Sequence, residues 1–314
     1  MTSILSLPFF RSPAARRVGL PILLLGLTVW GAHACGERSP EPYFKQLRSR
    51  DVDERTVAAN KLLRYGSEVV PRLVEESRSG FIRVRFETVK LLGRIGDPQA
   101  VPGLVERLDD SSSNVAQAAA WSLGRIGDAR ALPALLRFSR DHSKGVRKEV
   151  VGALGLCSAG GDSALAAASL EKALLDSAYG ETVRALRDPV PGVRIAALTA
   201  VRQFGYRDIE ETVIRLSRDP SAEVRHVAVQ ALGQIAAGQA PGGAAATGRL
   251  RGNIVEALIA SLDEPYQTIR TKAVRALGAV GDDKAEPHLL RLQERGDEED
   301  RREAGLALEK IRAL

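Results

Sequence analysis

Apolar residues recur along most of this chain at steps of four, four and three, as in Val224, Ala228, Leu232 and Ile235. That is one stripe on a 3.6-residue helix. With the first residue of the stripe as position 0, the pattern can be laid eight times, from Glu54, Val84, Val115, Val146, Val193, Val224, Ile269 and Asp300. The spacings are 30, 31, 31, 47, 31, 45 and 31 residues, and arginine follows position 0 in seven of the eight: Arg55, Arg85, Arg147, Arg194, Arg225, Arg270 and Arg301. Such self-similarity predicts a repeat with one strongly amphipathic helix per unit. Upstream, Pro71, Pro102, Pro133 and Pro287 precede Leu or Val pairs, which predicts a second helix with proline near its first turn. Asp110, Asp141, Asp188 and Asp219, five residues before position 0, are expected as helix N-caps.

Two glycine series sharpen this reading. Position 9 is Gly93, Gly124, Gly155, Gly233 and Gly278, with Leu63 and Arg202 breaking the series. Mid-helix glycine costs about 1 kcal/mol relative to alanine, so its recurrence predicts helices in close approach. Position 12 is Gly66, Gly96, Gly127, Gly205 and Gly281, suited to the left-handed turn that closes a helix. Ser158 and Ala236 replace it in the two units followed by extra sequence. The first insertion has alanine and leucine at helical spacing over 163–175 and predicts an additional helix. The second, from Gly238 to Gly248, is too rich in glycine and small residues to bury a face and predicts a flexible loop. The fold expected is all-α, an α-solenoid of about eight helix pairs over 41–314, with insertions near 159–175 and 237–251.

Composition supports packed helices: 44% of residues are hydrophobic but only 4% aromatic, and alternating β-branched runs are absent. With these features the chain resembles the HEAT-like repeats of the phycobilisome lyase type, from about Pro40 to Leu314. The resemblance implies that the aspartates and the position-1 arginines tie neighbouring repeats together, and that the position-0 helices line a concave groove. For function it is broad, because that family includes scaffolds, adaptors and some enzymes.

Catalytic constellations do not emerge. Past the N-terminal segment the histidines are His142, His226 and His288, one each in separated units and none followed by glutamate. HEAT-type hydroxylases that hold two irons use repeated His-Glu motifs, so the chain departs from them at every ligand position. His226 reads as a solvated surface histidine. No C-x-x-C or Walker loop occurs, and nothing supplies the pigment-specific motif that a bilin lyase, the enzymatic alternative, would need. The expectation is a chain with no catalytic residues, metal or cofactor and no small-molecule substrate, acting as a protein-binding scaffold.

At about 100° per residue, positions 2, 6 and 10 share the arc of the helix that would face the groove. Position 10 reads Arg64, Arg94 and Arg125, then Leu156, Gln203, Gln234, Ala279 and Lys310. Phe86 stands at position 2, with Lys90 and Trp121 at position 6. Arg64, Phe86, Lys90, Arg94, Trp121 and Arg125 are therefore the candidate partner-binding patch, because exposed Trp and Arg are enriched at hot spots. An acidic protein segment would suit it. The competing reading has the arginines serving solubility and Trp121 tucked under a neighbouring helix.

The N-terminus carries an address. Arg11, Arg16 and Arg17 precede an apolar run from Val18 to Ala32 that ends at Ala32-His33-Ala34. A run of about fifteen residues is short of the ~20 that a spanning helix needs, so residues 1–34 read as an export signal, with an uncleaved anchor as the alternative. The surroundings of Cys35 resemble the lipobox of bacterial lipoproteins, although Ala32 and His33 depart from its usual residues. That resemblance implies lipidation at Cys35, a tether over 35–40, and placement at the outer membrane or in the periplasm. Removing three arginines from 45 basic residues leaves 42 against 39 acidic, a balance that argues against a nucleic-acid partner. Cys157, on a predicted buried stripe, reads as an inert packed thiol.

Overall fold

The computed structural model describes residues 39–141, 143–159, 169–206, 208–238 and 247–313. Residues Pro40–Leu314 form one compact unit. The expected export signal over 1–34, Cys35, most of the expected 35–40 tether, His142 and the middle of each insertion lie outside the described residues.

The described residues form eight helix pairs, each a first helix followed by a position-0 helix. They are α1 (Glu41–Gln46) with α2 (Val52–Tyr65), α3 (Val70–Glu76) with α4 (Ile82–Ile95), and α5 (Val101–Glu106) with α6 (Ser113–Ile126). Then come α7 (Leu132–Phe138) with α8 (Lys144–Ala159), and α9 (Ser169–Ala185) with α10 (Pro191–Val201). The last are α11 (Glu210–Leu216) with α12 (Ala222–Ala236), α13 (Gly248–Ala260) with α14 (Gln267–Val280), and α15 (Glu286–Arg295) with α16 (Glu298–Arg312). This is an α-solenoid, and no strand occurs among the described residues.

Local sequence sets the boundaries. Pro71, Pro102, Pro133 and Pro287 sit in the first turn of α3, α5, α7 and α15, where their missing N–H costs nothing. Gly96, Gly127 and Gly281 close α4, α6 and α14 at φ 79°, 71° and 67°. The aspartate after each of these glycines caps the next turn, as Asp97 does by accepting the Gln99 N–H at 2.8 Å.

The first insertion differs from expectation. Residues from Ser169 onward open α9, which runs to Ala185 as the first helix of the fifth pair. Residues 169–175 of the stretch expected to be helical are thus the first turns of this repeat helix, and residues 163–168 lie outside the described residues. After the second insertion α13 begins at Gly248, where the expected loop ends, and residues 239–246 of that loop lie outside the described residues.

The position-0 helices pack on one another through the position-9 glycines. A Cβ on Gly155 would lie 2.7 Å from the Cα of Ala200, and one on Gly278 would lie 2.9 Å from the Cα of Ala307. The partners Ala153, Ala200, Ala276 and Ala307 all stand at position 7 of the following unit, with Ser122 in the same role against Gly93. Small residues on both sides are what allow such close approach.

The arginine series supplies a second tie. Arg85, Arg194 and Arg225 donate through Nη1 to the carbonyl six residues back, at 3.0, 2.8 and 2.9 Å. Their other nitrogens reach a carboxylate of the next unit. The links are Arg85–Asp110 at 2.8 Å, Arg147–Asp188 at 3.1 Å, Arg194–Asp219 at 2.6 Å, Arg225–Glu264 at 2.7 Å and Arg270–Asp300 at 2.7 Å. Burial pushes the Asp110 carboxyl up, yet the Arg85 guanidinium and the Ser112 N–H overcome it and hold the group below its ordinary range.

These aspartates are therefore not the N-caps expected. Ser112, Val190 and Ser221 occupy the cap positions and make no side-chain cap bond. Asp110, Asp188 and Asp219 stand two residues earlier and accept those residues' N–H groups at 2.9 Å each. From there a carboxylate can brace the turn and still point at the preceding repeat.

Candidate functional site

The arc of positions 2, 6 and 10 is built by helices whose opposite face is core. On α4, Val84, Val89, Leu91 and Leu92 are buried, which turns Phe86, Lys90 and Arg94 outward. On α6, Val115, Ala119 and Leu123 are buried, so Gln117, Trp121 and Arg125 face the same way.

Phe86, Lys90 and Trp121 come together. With Asn114, Gln117, Ala118 and Glu149 they line a depression of about 450 Å³ spanning α4, α6 and α8. The Lys90 ammonium sits 5.1 Å from the Phe86 ring centre, and the Arg125 guanidinium sits 5.1 Å from that of Trp121. Arg125 also donates through Nε to the Gly93 carbonyl at 3.2 Å, which fixes it across the joint between two repeats. Trp121 is half-buried, so it is neither a core residue nor a fully exposed one.

Arg64 and Arg94 are exposed and lie outside the depression. Among the described residues no carboxylate pairs with Arg64, Lys90, Arg94 or Arg125. Sequence reasoning missed Asn114 and Glu149. Their helical angles gave the signal: position −1 falls at about 260° and position 3 at about 300°, inside or beside the chosen arc.

The C-terminal stretch of the same face differs. Arg275 at position 6 and Arg302 at position 2 converge on Glu303, at 2.8 and 3.2 Å. The Arg275 hydrogen bond, against the opposing effect of burial, pulls the Glu303 carboxyl down to about 2. A larger cleft of about 640 Å³ is lined by Arg270, His288, Arg291, Asp297 and Asp300 among others. Its volume exceeds that of the Trp121 depression, but Arg270 is already bound to Asp297 and Asp300 at 2.8 and 2.7 Å.

Nucleophile and ligand candidates stay quiet. Cys157 is buried, its Sγ lies 3.5 Å from the Leu123 carbonyl, and burial pushes its thiol up to about 12. His226 is half-buried rather than solvated, and burial, with Lys272 nearby, lowers its pKa. No cluster that could hold a metal ion occurs among the described residues.

Comparison with known proteins decides the family. The HEAT repeats family matches residues 40–123, 101–186 and 181–251, and the PBS lyase HEAT-like repeat matches 269–295. The chain belongs to the HEAT repeat family. Among solved structures this HEAT protein is similar to YibA of E. coli, with TM-score 0.62 and 19% identity over 88% of this chain and 93% of that one. An engineered protein matches with TM-score 0.52 and 23% identity, over 87% and 78% of the two chains. The complex of CpcE and CpcF of phycocyanin lyase from Nostoc sp. PCC7120 matches with TM-score 0.46 and 23% identity, over 81% and 98%, and no argument rests on it. Likeness at these identities speaks for the HEAT fold alone. No curated protein matches the chain.

Proposed function

We propose that this HEAT protein is an exported, lipid-anchored interaction scaffold of a bacterial envelope, holding a protein partner on the N-terminal half of its helical face. The observation that carries the binding reading is the set of uncompensated cations, Arg64, Lys90, Arg94 and Arg125, beside the Trp121 depression. Cations left without internal carboxylates beside a half-buried tryptophan have the composition of an interface hot spot. The envelope reading rests on the sequence from Arg11 to Cys35. A non-catalytic role fits the buried thiol of Cys157, the one described cysteine.

Two experiments test this. Fractionation and intact mass of wild type and Cys35→Ser should move the variant from membrane to soluble extract with loss of the lipid mass. An unchanged pellet and mass would contradict lipidation. Cross-linked capture from a detergent extract should recover a partner with wild type and lose most of it with Trp121→Ala at unchanged melting temperature. Equal recovery would remove this face from consideration, and a pigment or metal co-purifying in stoichiometric amount would overturn the scaffold reading.

A further inference from the structure

Arg64, Arg94 and Arg125 occupy position 10 of three consecutive helices, α2, α4 and α6. Packed helices lie about 8–10 Å apart. The approach of α4 to α6 is close, since a Cβ on Gly93 would sit 2.8 Å from the Cα of Ser122. The three side chains are therefore rooted in a row that crosses the helices about every 8–10 Å, with Arg125 leaning toward α4 through its bond to the Gly93 carbonyl. A polyproline II segment has three residues per turn and rises 3.1 Å per residue, so it presents the same face about every 9.3 Å. A β-strand repeats its face about every 6.7 Å, and an α-helix after a heptad only about every 10.5 Å.

Beside the row lies the depression, with Trp121 one helical turn or about 6 Å back and Phe86 two turns or about 12 Å back. Proline-rich segments in this conformation dock on aromatic-lined grooves and bring little ordering entropy with them. Glu149 on the α8 side of the depression would repel an acid placed there. That confines the negative charge to the arginine edge.

Resting on the binding reading just given, we infer that the occupant of this face is an acidic, proline-rich segment in the polyproline II conformation. It carries Asp or Glu at every third residue. The carboxylates meet Arg64, Arg94 and Arg125 in turn, and the adjoining face of prolines covers Phe86 and Trp121.

The test uses Trp121 itself as reporter. The chain has two tryptophans, Trp30 and Trp121; the mature, detergent-solubilised protein that begins at Cys35 emits from Trp121 alone, and Trp30→Phe gives the same reporter where residues 1–34 are retained. Two nine-residue peptides of identical composition serve as probes, (Glu-Pro-Pro)₃ and Glu-Glu-Glu followed by six prolines. The spaced peptide should shift the emission and bind about tenfold more tightly than the clustered one, because only it engages three cations. Arg64→Gln and Arg94→Gln should each weaken it about twofold to fivefold, the worth of one exposed ion pair. Equal affinity for the two peptides would overturn the inference, leaving unspecific charge attraction. So would an emission that neither peptide moves. If the peptides fail while Trp121→Ala still abolishes envelope capture, the segment class is wrong and the scaffold reading stands. If capture also survives Trp121→Ala, both fall.

Discussion

The two ends of the solenoid use the same residue types to opposite effect. From the fourth repeat onward every joint carries an arginine–carboxylate link, through Asp188, Asp219, Glu264 and Asp300, and even the outward cations Arg275 and Arg302 are drawn onto Glu303. In the first three repeats one such link forms, Arg85–Asp110. Ala116 stands where the third repeat would have its arginine, and Ser79 stands where Arg55 would find its carboxylate. The N-terminal half has other ties, Arg48–Glu76 and Arg78–Glu106 along its first helices, but these leave the opposite face untouched. On the outward arc Arg275 and Arg302 are neutralised internally, whereas Arg64, Lys90, Arg94 and Arg125 have no carboxylate partner among the described residues. Paired charge holds repeats together, and on the proposed reading unpaired charge meets a partner.

The comparison can be broken most forcefully at a buried link. Arg194→Ala leaves Asp219, 8% exposed, without its cation and should cost about 2–3 kcal/mol in urea unfolding. A loss below about 0.5 kcal/mol would mean that the links are ornamental. Next comes the joint itself. Gly155→Ala must push a methyl group against the Ala200 backbone and should destabilise by about 1–3 kcal/mol. Gly152→Ala, three residues earlier with open space around it, should be neutral or stabilise by up to about 1 kcal/mol.

A third effect is set by pH. Glu303 has its carboxyl held at about 2, mainly by Arg275, against an ordinary value of 4.5. Because the folded-state value is depressed, this pair contributes stability that is complete above about pH 4.5 and is lost as the pH falls toward 2. Glu303→Gln should flatten part of that acid limb in a pH series of melting temperatures, whereas Arg94→Ala should leave it as it is. The smallest effect is on stability at the N-terminal face, where Arg64→Ala and Arg94→Ala should each change unfolding free energy by less than about 0.5 kcal/mol.

Much of this was legible in the sequence, for physical reasons that differ by element. The helix pairs were visible because a buried stripe leaves a 3.6-residue period, and Gly93, Gly155 and Gly278 announced close approach because glycine is otherwise a poor mid-helix residue. For Asp110, Asp188 and Asp219 the tie to the arginines follows from the family resemblance, whereas the N-cap role does not hold. An aspartate ahead of a helix has the same spacing whether it caps that helix or braces a turn two residues earlier. Of the candidate patch, Phe86, Lys90 and Trp121 do share one depression, since equivalent positions of stacked repeats adjoin. Glu149 could not be read from charge alone, because its place on the wall depends on how α8 sets against α6. The pairing of Arg275 and Arg302 with Glu303 escaped as well, and with it the contrast between the two ends.

That contrast is tested most directly by one paired measurement, melting temperature and partner capture on two double variants. Arg64→Ala with Arg94→Ala should keep its melting temperature and lose most of its capture. Arg275→Ala with Arg302→Ala strips the cations from Glu303, so it should melt a few degrees lower and capture as wild type does. If the C-terminal pair abolished capture while the N-terminal pair left it intact, the division of labour between the two ends would be contradicted.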